Sequence, residues 1–312
     1  MRAGATGKPP PLRIATRASA LALAQAQQVA ELLGGDGAPS AVELVPMVTS
    51  GDRGQAPTAQ AQADKERWVK ELEEALLAGE VDLAVHSAKD VPAVLPDGLI
   101  LVGAPRRGDP RDALCGAASL AGLEAGARVG TSSLRRAALV NAHRDDLDVV
   151  ALSGNVDTRL RRLEAGEYAA IVLASAGLER LGRGGEATSR LDAHDFVPAA
   201  GQGTLVLQAR AEDDAARERV AVIAHPGTER CLRAERSLVR ALEADCHTPL
   251  GAHATEEAGE AGDVRLRLRA FVGRADGSAW LRDELVGDDP RALGEAVAVR
   301  LRAAGADDVL GR

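Results

Sequence analysis

An alternation constrains this chain more than any other feature. Short apolar runs of strand length are separated by amphipathic stretches of helical length. Strand-like runs cover Leu12–Thr16, Val42–Val48, Val81–His86, Leu99–Ala104, Arg128–Gly130, Asp148–Leu152, Ala169–Ala174 and Thr204–Ala209. Amphipathic stretches lie between several of them, over Ala18–Leu33, Lys65–Ala78, Ser133–His143 and Val156–Ala165. Such alternation predicts parallel α/β sheets covered by helices on both faces. After about Pro226 the pattern changes to a helix over Glu229–Glu243, Arg/Leu-alternating strands over Val264–Gly273 and Ala279–Val286, and a last helix over Pro290–Ala304. That segment reads as a separate α+β domain. At 312 residues the chain exceeds the usual size of one core, so two or three domains are expected.

Composition narrows the function classes. Hydrophobic residues at 46% and charged residues at 27% are ordinary for a soluble globular protein. A net charge of -8 disfavours a general nucleic-acid binder. Any arginines that matter must therefore be clustered locally, and a basic cleft in an acidic protein implies a small anionic ligand. Cys115, Cys231 and Cys246 show no CxxC spacing, and the six histidines form no HxxxH or HxH pair, so no metal site is expected. Met1–Pro11 has no apolar core of a signal peptide, and no apolar run reaches membrane-spanning length. The expectation is a reduced, cytoplasmic, soluble protein that engages neither nucleic acid nor membrane. Gly51–Asp64 lacks periodicity and is long for a connection; a mobile lid and a passive disordered insertion both stay open.

Three strand-to-helix corners are rich in hydroxyls and arginine: Thr16–Ser19, Gly130–Arg136 and Ser153–Arg159. Helix N-termini leave free N–H groups that attract anions, and arginine adds a planar fork matched to a carboxylate. One such corner would be simple N-capping. Three together point to a ligand with several anionic groups at the carboxyl ends of the strands. At another strand end, Lys89 stands beside Asp90 and ahead of Pro92, which favours a positioned carboxylate over a surface ion pair. His86 reads as a hydrogen-bonded core histidine. Cys246 sits in a loop closed by Pro249 and Gly251, where a reactive thiol is plausible, whereas Cys115 and Cys231 read as small buried hydrophobes.

In order along the chain, several segments form a set. The first are Leu12–Arg17, Trp68–Glu73 and His86–Pro92. Next come Asp109–Ala113, Gly130–Arg136, Gly154–Val156 with Thr158–Arg159, and Ala176–Leu178 with Arg180–Leu181. Pro198–Gly203, Glu235–Arg236 and Cys246 complete it. This ordered set resembles the porphobilinogen deaminase (hydroxymethylbilane synthase) family from about Leu12 to Gly251. The resemblance implies two α/β domains similar to periplasmic binding proteins, covering residues 12–105 with 204–222 and residues 106–203. A smaller α+β domain over 226–312 carries the cysteine. It implies a monomeric transferase that condenses four porphobilinogen molecules, with loss of ammonia, onto a dipyrromethane cofactor joined to Cys246 by a thioether. By the same resemblance, Lys89, Ser133, Arg135 and Arg136 hold the cofactor carboxylates. Arg17, Ser19, Arg159 and Arg180 hold the substrate or growing chain, and Asp90 is the catalytic carboxylate.

Two departures stand out. The family's usual Arg-Gly-Asn-Val is Ser153-Gly154-Asn155-Val156 here, so one guanidinium is missing. The family's glycine-rich stretch and Phe before the helix become Ala63–Trp68 here, where Lys65 or Arg67 either restores charge near the lid or lies on a solvated face. Rival readings are a non-catalytic anion-binding protein or a degenerate paralogue on the same scaffold. Asp90, Lys89 and Cys246 together favour the enzyme.

Overall fold

The computed structural model describes residues 11–34, 42–49, 66–245, 248–259 and 263–312, with backbone only at 66–68. Along the first part of the chain run β1 (Leu12–Arg17), α1 (Ala20–Leu33), β2 (Val42–Met47), α2 (Glu66–Leu77), β3 (Leu83–Ser87) and β4 (Leu99–Gly103). Then follow β5 (Asp112–Cys115), β6 (Arg128–Gly130), α3 (Leu134–His143), β7 (Asp148–Val150), α4 (Val156–Glu164), β8 (Ala170–Ala174), α5 (Ser175–Arg180) and β9 (Ser189–Arg190). The remainder holds β10 (Leu205–Arg210), α6 (Asp214–Ala221), α7 (Pro226–Ala241), β11 (Leu250–Ala258), β12 (Val264–Gly273), β13 (Trp280–Gly287), α8 (Pro290–Ala303) and α9 (Ala306–Leu310). The Gly51–Asp64 segment, Lys65, the Arg67 side chain and Cys246 lie outside the described residues.

Two sheets share one plan. The first has strand order β2-β1-β3-β10-β4 and the second β7-β6-β8-β5-β9. In each, the first three strands are parallel. The fourth runs antiparallel to both its neighbours. This corrects the expectation of wholly parallel sheets. The antiparallel strand in each sheet adjoins a crossing: β5 follows the outward segment 104–111, and β10 follows the return segment 191–204. A strand that arrives from the other sheet needs no helical crossover, so it can enter against the common direction. The third sheet, β11-β12-β13, is an antiparallel meander.

Local chemistry sets the element starts. Ser19, Ser133 and Asn155 cap α1, α3 and α4, each side-chain oxygen accepting from a backbone N–H three residues on. Pro226 and Pro290 occupy the first turns of α7 and α8, where a missing N–H costs nothing. Packing then fixes the layers. Leu72 and Leu76 of α2 are fully buried against Ala15, Ala84 and Leu99 of the first sheet, each such side chain contributing about 1.5–3 kcal/mol. In the third unit, Leu238 of α7 and Val297 of α8 pack on Leu266 and Leu268 of β12. Phe271 of β12 is buried instead with Phe196, Val197 and Leu139 of the second unit, which ties the third sheet to the return crossing.

Candidate active site

The carboxyl ends of the parallel strands carry the polar corners. Arg17 ends β1, and Ser19 caps α1, its Oγ accepting from the Ala22 N–H at 3.3 Å. The end of β3 leads into a 3-10 turn, Ala88–Asp90, followed by Val91 in extended conformation as the residue before a proline requires. Beyond β6, the Ser133 Oγ accepts from the Arg136 N–H at 3.4 Å. The capping reading is therefore correct for both serines. A hydroxyl that accepts from a cap N–H still has its own O–H to donate, so capping and anion binding are compatible.

Arg135 and Arg136 meet one carboxylate. Asp112, at the start of β5, lies 2.8 Å from Arg135 and 2.7 Å from Arg136, and all three are buried. Burial pushes the Asp112 carboxyl up, but the two guanidiniums and Gln202 outweigh it and hold it below the usual range. Arg135 also donates to the Val197 carbonyl at 2.8 Å, and Arg136 to the Val172 carbonyl at 3.1 Å. Gln202, in the return crossing, donates to Asp112 at 3.0 Å and to the Pro110 carbonyl at 2.7 Å. The cluster thus joins both crossings.

Lys89 faces the same cluster. Burial pushes its ammonium down to about 8; Asp90 and Asp112 favour the charge, and Arg136 and Arg135 oppose it. Half-buried, it is no surface ion pair. Arg159 of α4 is pushed down to about 10 by burial and by Arg136, and its Nε donates to the Gly154 carbonyl at 2.7 Å. Arg180 of α5 donates to the Gly203 carbonyl at 2.8 Å and to Gln28 of α1 at 3.2 Å, so it bridges the second unit, the return crossing and the first unit. Burial pushes it too down to about 10, still fully charged at neutral pH.

His86 is the core histidine expected: it is buried, bonded to Gln208 at 2.9 Å and pushed by burial down to about 4. The charges of Asp90 and Arg17 both act on its ring, in opposite senses. Cys115 and Cys231 are buried thiols pushed up to about 11 and about 12, which makes them poor nucleophiles. The flanks of the Cys246 loop are described. Arg312 donates to the Leu242 carbonyl at 2.7 Å and to Thr248 Oγ1 at 3.1 Å, pinning both sides of the loop. Downstream, Gly251 is pressed so closely on Val197 that a Cβ would stand 2.7 Å from the Val197 carbonyl oxygen, the same oxygen that accepts from Arg135. The start of β11 therefore lies beside the arginine cluster.

These residues fit a ligand with several carboxylates. Among the described residues the buried Arg135 Nε has no hydrogen-bond partner, and the charges acting most on Lys89 are two carboxylates, Asp90 and Asp112, against two arginines. A buried donor left unmatched is costly unless a ligand oxygen meets it. Sequence reasoning gave no role to Asp112, Gln202, Arg107 or Glu235. A carboxylate opening the apolar run Asp112–Cys115, and a glutamate on the buried stripe of α7, were the available signals.

A family model described as porphobilinogen deaminase, dipyromethane cofactor binding domain, matches residues 12–218, and one described as porphobilinogen deaminase, C-terminal domain, matches residues 229–303. The porphobilinogen deaminase of Thiobacillus denitrificans is 45% identical over 303 residues, covering 96% of this chain and 97% of that one. That of Pelobacter propionicus is 44% identical over 306 residues, covering 97% of each. Among solved structures, the methionine binding protein MetQ overlaps with a TM-score of 0.43 at 16% identity, covering 68% of this chain and 87% of that one. The chain belongs to the porphobilinogen deaminase family.

Proposed function

We propose a division of labour among named residues for the reaction of this family. The enzyme is a transferase, porphobilinogen deaminase, of tetrapyrrole biosynthesis, and it has a dipyrromethane cofactor-binding domain. In the proposed arrangement Cys246 tethers the cofactor by a thioether, while Lys89, Ser133, Arg135 and Arg136 take its carboxylates. Arg17, Ser19, Arg159 and Arg180 take those of arriving porphobilinogen and of the growing chain, which gains an acetate and a propionate with every ring. When bound, the cofactor supplies the free pyrrole carbon to which the first unit is joined.

Asp90 acts on the reacting unit. Loss of ammonia from porphobilinogen leaves an electron-poor azafulvene, and a fixed carboxylate aimed at the pyrrole N–H stabilises that charge as it develops. The same carboxylate can relay a proton. Lys89 beside it binds carboxylate oxygens and keeps them from competing for the pyrrole N–H. We propose further that the chain works as a cytoplasmic monomer in three units, 12–105 with 204–222, 106–203 and 226–312. Among the described residues no helix is long and apolar enough to cross a membrane.

The observation that supports this reading most is the meeting of Arg135 and Arg136 on Asp112, with the charge of Lys89 acted on by all three and that of Arg159 by Arg136. Intact-mass spectrometry tests it. The purified protein should carry a dipyrromethane adduct that Cys246→Ser abolishes, and Asp90→Asn should retain the adduct but lose ~10²–10³ in turnover. A bare chain mass after incubation with porphobilinogen would remove the tether, and near-normal turnover of Asp90→Asn would remove Asp90 from its role.

A further inference from the structure

Helix α7 grips the catalytic turn from two sides. Its Glu235 is fully buried and receives Arg107 at 2.6 Å, the Gly201 N–H at 2.6 Å and the Ala254 N–H at 2.8 Å. Gly201 in turn lies against Ala88 and Lys89. One residue on, Arg236 reaches the other side of the turn, donating to the carbonyls of Val91 at 3.2 Å, Pro92 at 2.7 Å and Ala93 at 3.2 Å. Leu232, one turn back on the same helix, packs on Ala88 and Val91.

The chemistry of Arg236 is unusual for a scaffold residue. Among the described residues its hydrogen-bond partners are three peptide oxygens and no carboxylate. Burial and the neighbouring Arg240 push its guanidinium down to about 10. A hydrophobic side chain would fill this interface without desolvating a cation. What the guanidinium adds is direction: its planar fork fixes three successive carbonyls that begin directly after Asp90. Displacement of a reacting group by ~1 Å can cost ~10²-fold in rate, so a turn held this way bears on catalysis.

We infer that Arg236 is a positioning residue for the condensation, locking the Lys89–Asp90 turn onto the helix of the unit that carries Cys246. The inference rests on the assignment of Asp90 as the catalytic carboxylate. It acts through the Val91–Ala93 backbone and touches no reacting atom.

A double-mutant cycle on the cofactor-loaded enzyme tests it. Arg236→Gln should keep the adduct mass and a KM within ~2-fold while kcat falls ~10–100-fold. Arg236→Lys, whose single ammonium cannot span three fork-placed oxygens, should fall between that variant and the parent. In the Asp90→Asn background Arg236→Gln should cost little more, because the group it positions is already gone. An unchanged kcat in Arg236→Gln with Asp90→Asn impaired overturns this inference and leaves the Asp90 assignment standing. Full additivity of the two losses overturns it as well, since a general structural prop would behave so. Normal turnover of Asp90→Asn overturns the assignment of Asp90 and this inference with it. Should Arg236→Gln not fold, Arg236→Lys carries the same comparison, with a lowered kcat expected and an unchanged kcat overturning it.

Discussion

Gly201 lies against Lys89 with no room for a side chain. A Cβ there would stand 2.8 Å from the Ala88 Cβ and 3.0 Å from the Lys89 nitrogen, and the Gly201 φ of +74° is one that L-residues rarely adopt. The return crossing is thus in contact with the Ala88–Asp90 turn, and its backbone conformation is set by what that contact allows. Gly201→Ala should therefore cost about 1–3 kcal/mol from the left-handed backbone alone. The methyl group must also displace Ala88, so kcat should fall more than the stability loss explains at temperatures where the variant is folded. Thermal unfolding measured beside steady-state kinetics checks both; an unchanged kcat would mean that the turn tolerates movement.

Asp112 has a different burden. It is the shared counter-charge of two buried arginines, and removing one partner of a buried ion pair costs about 3–5 kcal/mol because the other charge is stranded. Asp112→Asn should lower the unfolding free energy measured by urea titration by that amount, and the urea midpoint with it, before any ligand is added. The native carboxyl is held below its usual value of 3.8, so its stabilising contribution is complete above that pH and is lost as pH falls through the lower native value. The parent should accordingly lose stability on that acid side more steeply than Asp112→Asn. Equal midpoints for the two proteins at pH 7 would show that the arginines find other partners.

Much of this arrangement was legible in the sequence, for physical reasons. Strand and helix positions in the first two units followed from apolar runs and their caps, and Ser19 and Ser133 were correctly readable as both caps and corner residues. The antiparallel strands were harder. Leu205–Arg210 is apolar like its neighbours, and nothing in a buried run states its direction. Asp112–Cys115 and Ser189–Arg190 are too short to carry a period, and Ser175–Arg180 is too short to show a helical face. The arginine turns pointed to an anionic ligand, yet the partners that orient them did not stand out. Asp112, Gln202 and Glu235 act across sequence separations of 19 to 128 residues, and only the fold brings these together.

Lys89 supplies a prediction whose sign follows from burial. Its native value of about 8 lies below the ordinary 10.5, so between these the unfolded chain binds a proton that the folded one has released. Burial of the ammonium thus destabilises the cofactor-free protein below pH 8, and this cost is relieved as pH rises from 8 to 10.5. The gap corresponds to about 3 kcal/mol at most. Cofactor-free Lys89→Met should be more stable than the parent at pH 7, with the difference shrinking by pH 10. A difference independent of pH would mean that the ammonium is solvated. Carboxylates of a bound ligand offset the same cost, which makes this lysine a place where binding and folding are coupled.

Ser153 permits the sharpest test of the missing guanidinium. It is exposed beyond the end of β7, next to Gly154, whose carbonyl accepts from Arg159. Nothing buried has to move to admit a longer side chain at that position. An arginine there would stand beside Arg159 at the same corner and present a second fork to the arriving carboxylates. Exposed charge pairs contribute about 0.2–1 kcal/mol, which corresponds to a change of up to ~5-fold in affinity. Ser153→Arg should lower KM by up to that factor and leave the thermal midpoint and the adduct mass as they are. The gain should shrink as salt is raised, because an exposed pair is screened within a Debye length of about 8 Å at physiological ionic strength. Unchanged KM and chain-elongation rates at low salt would show that Ser153 costs this enzyme nothing, and that the remaining arginines hold the chain unaided.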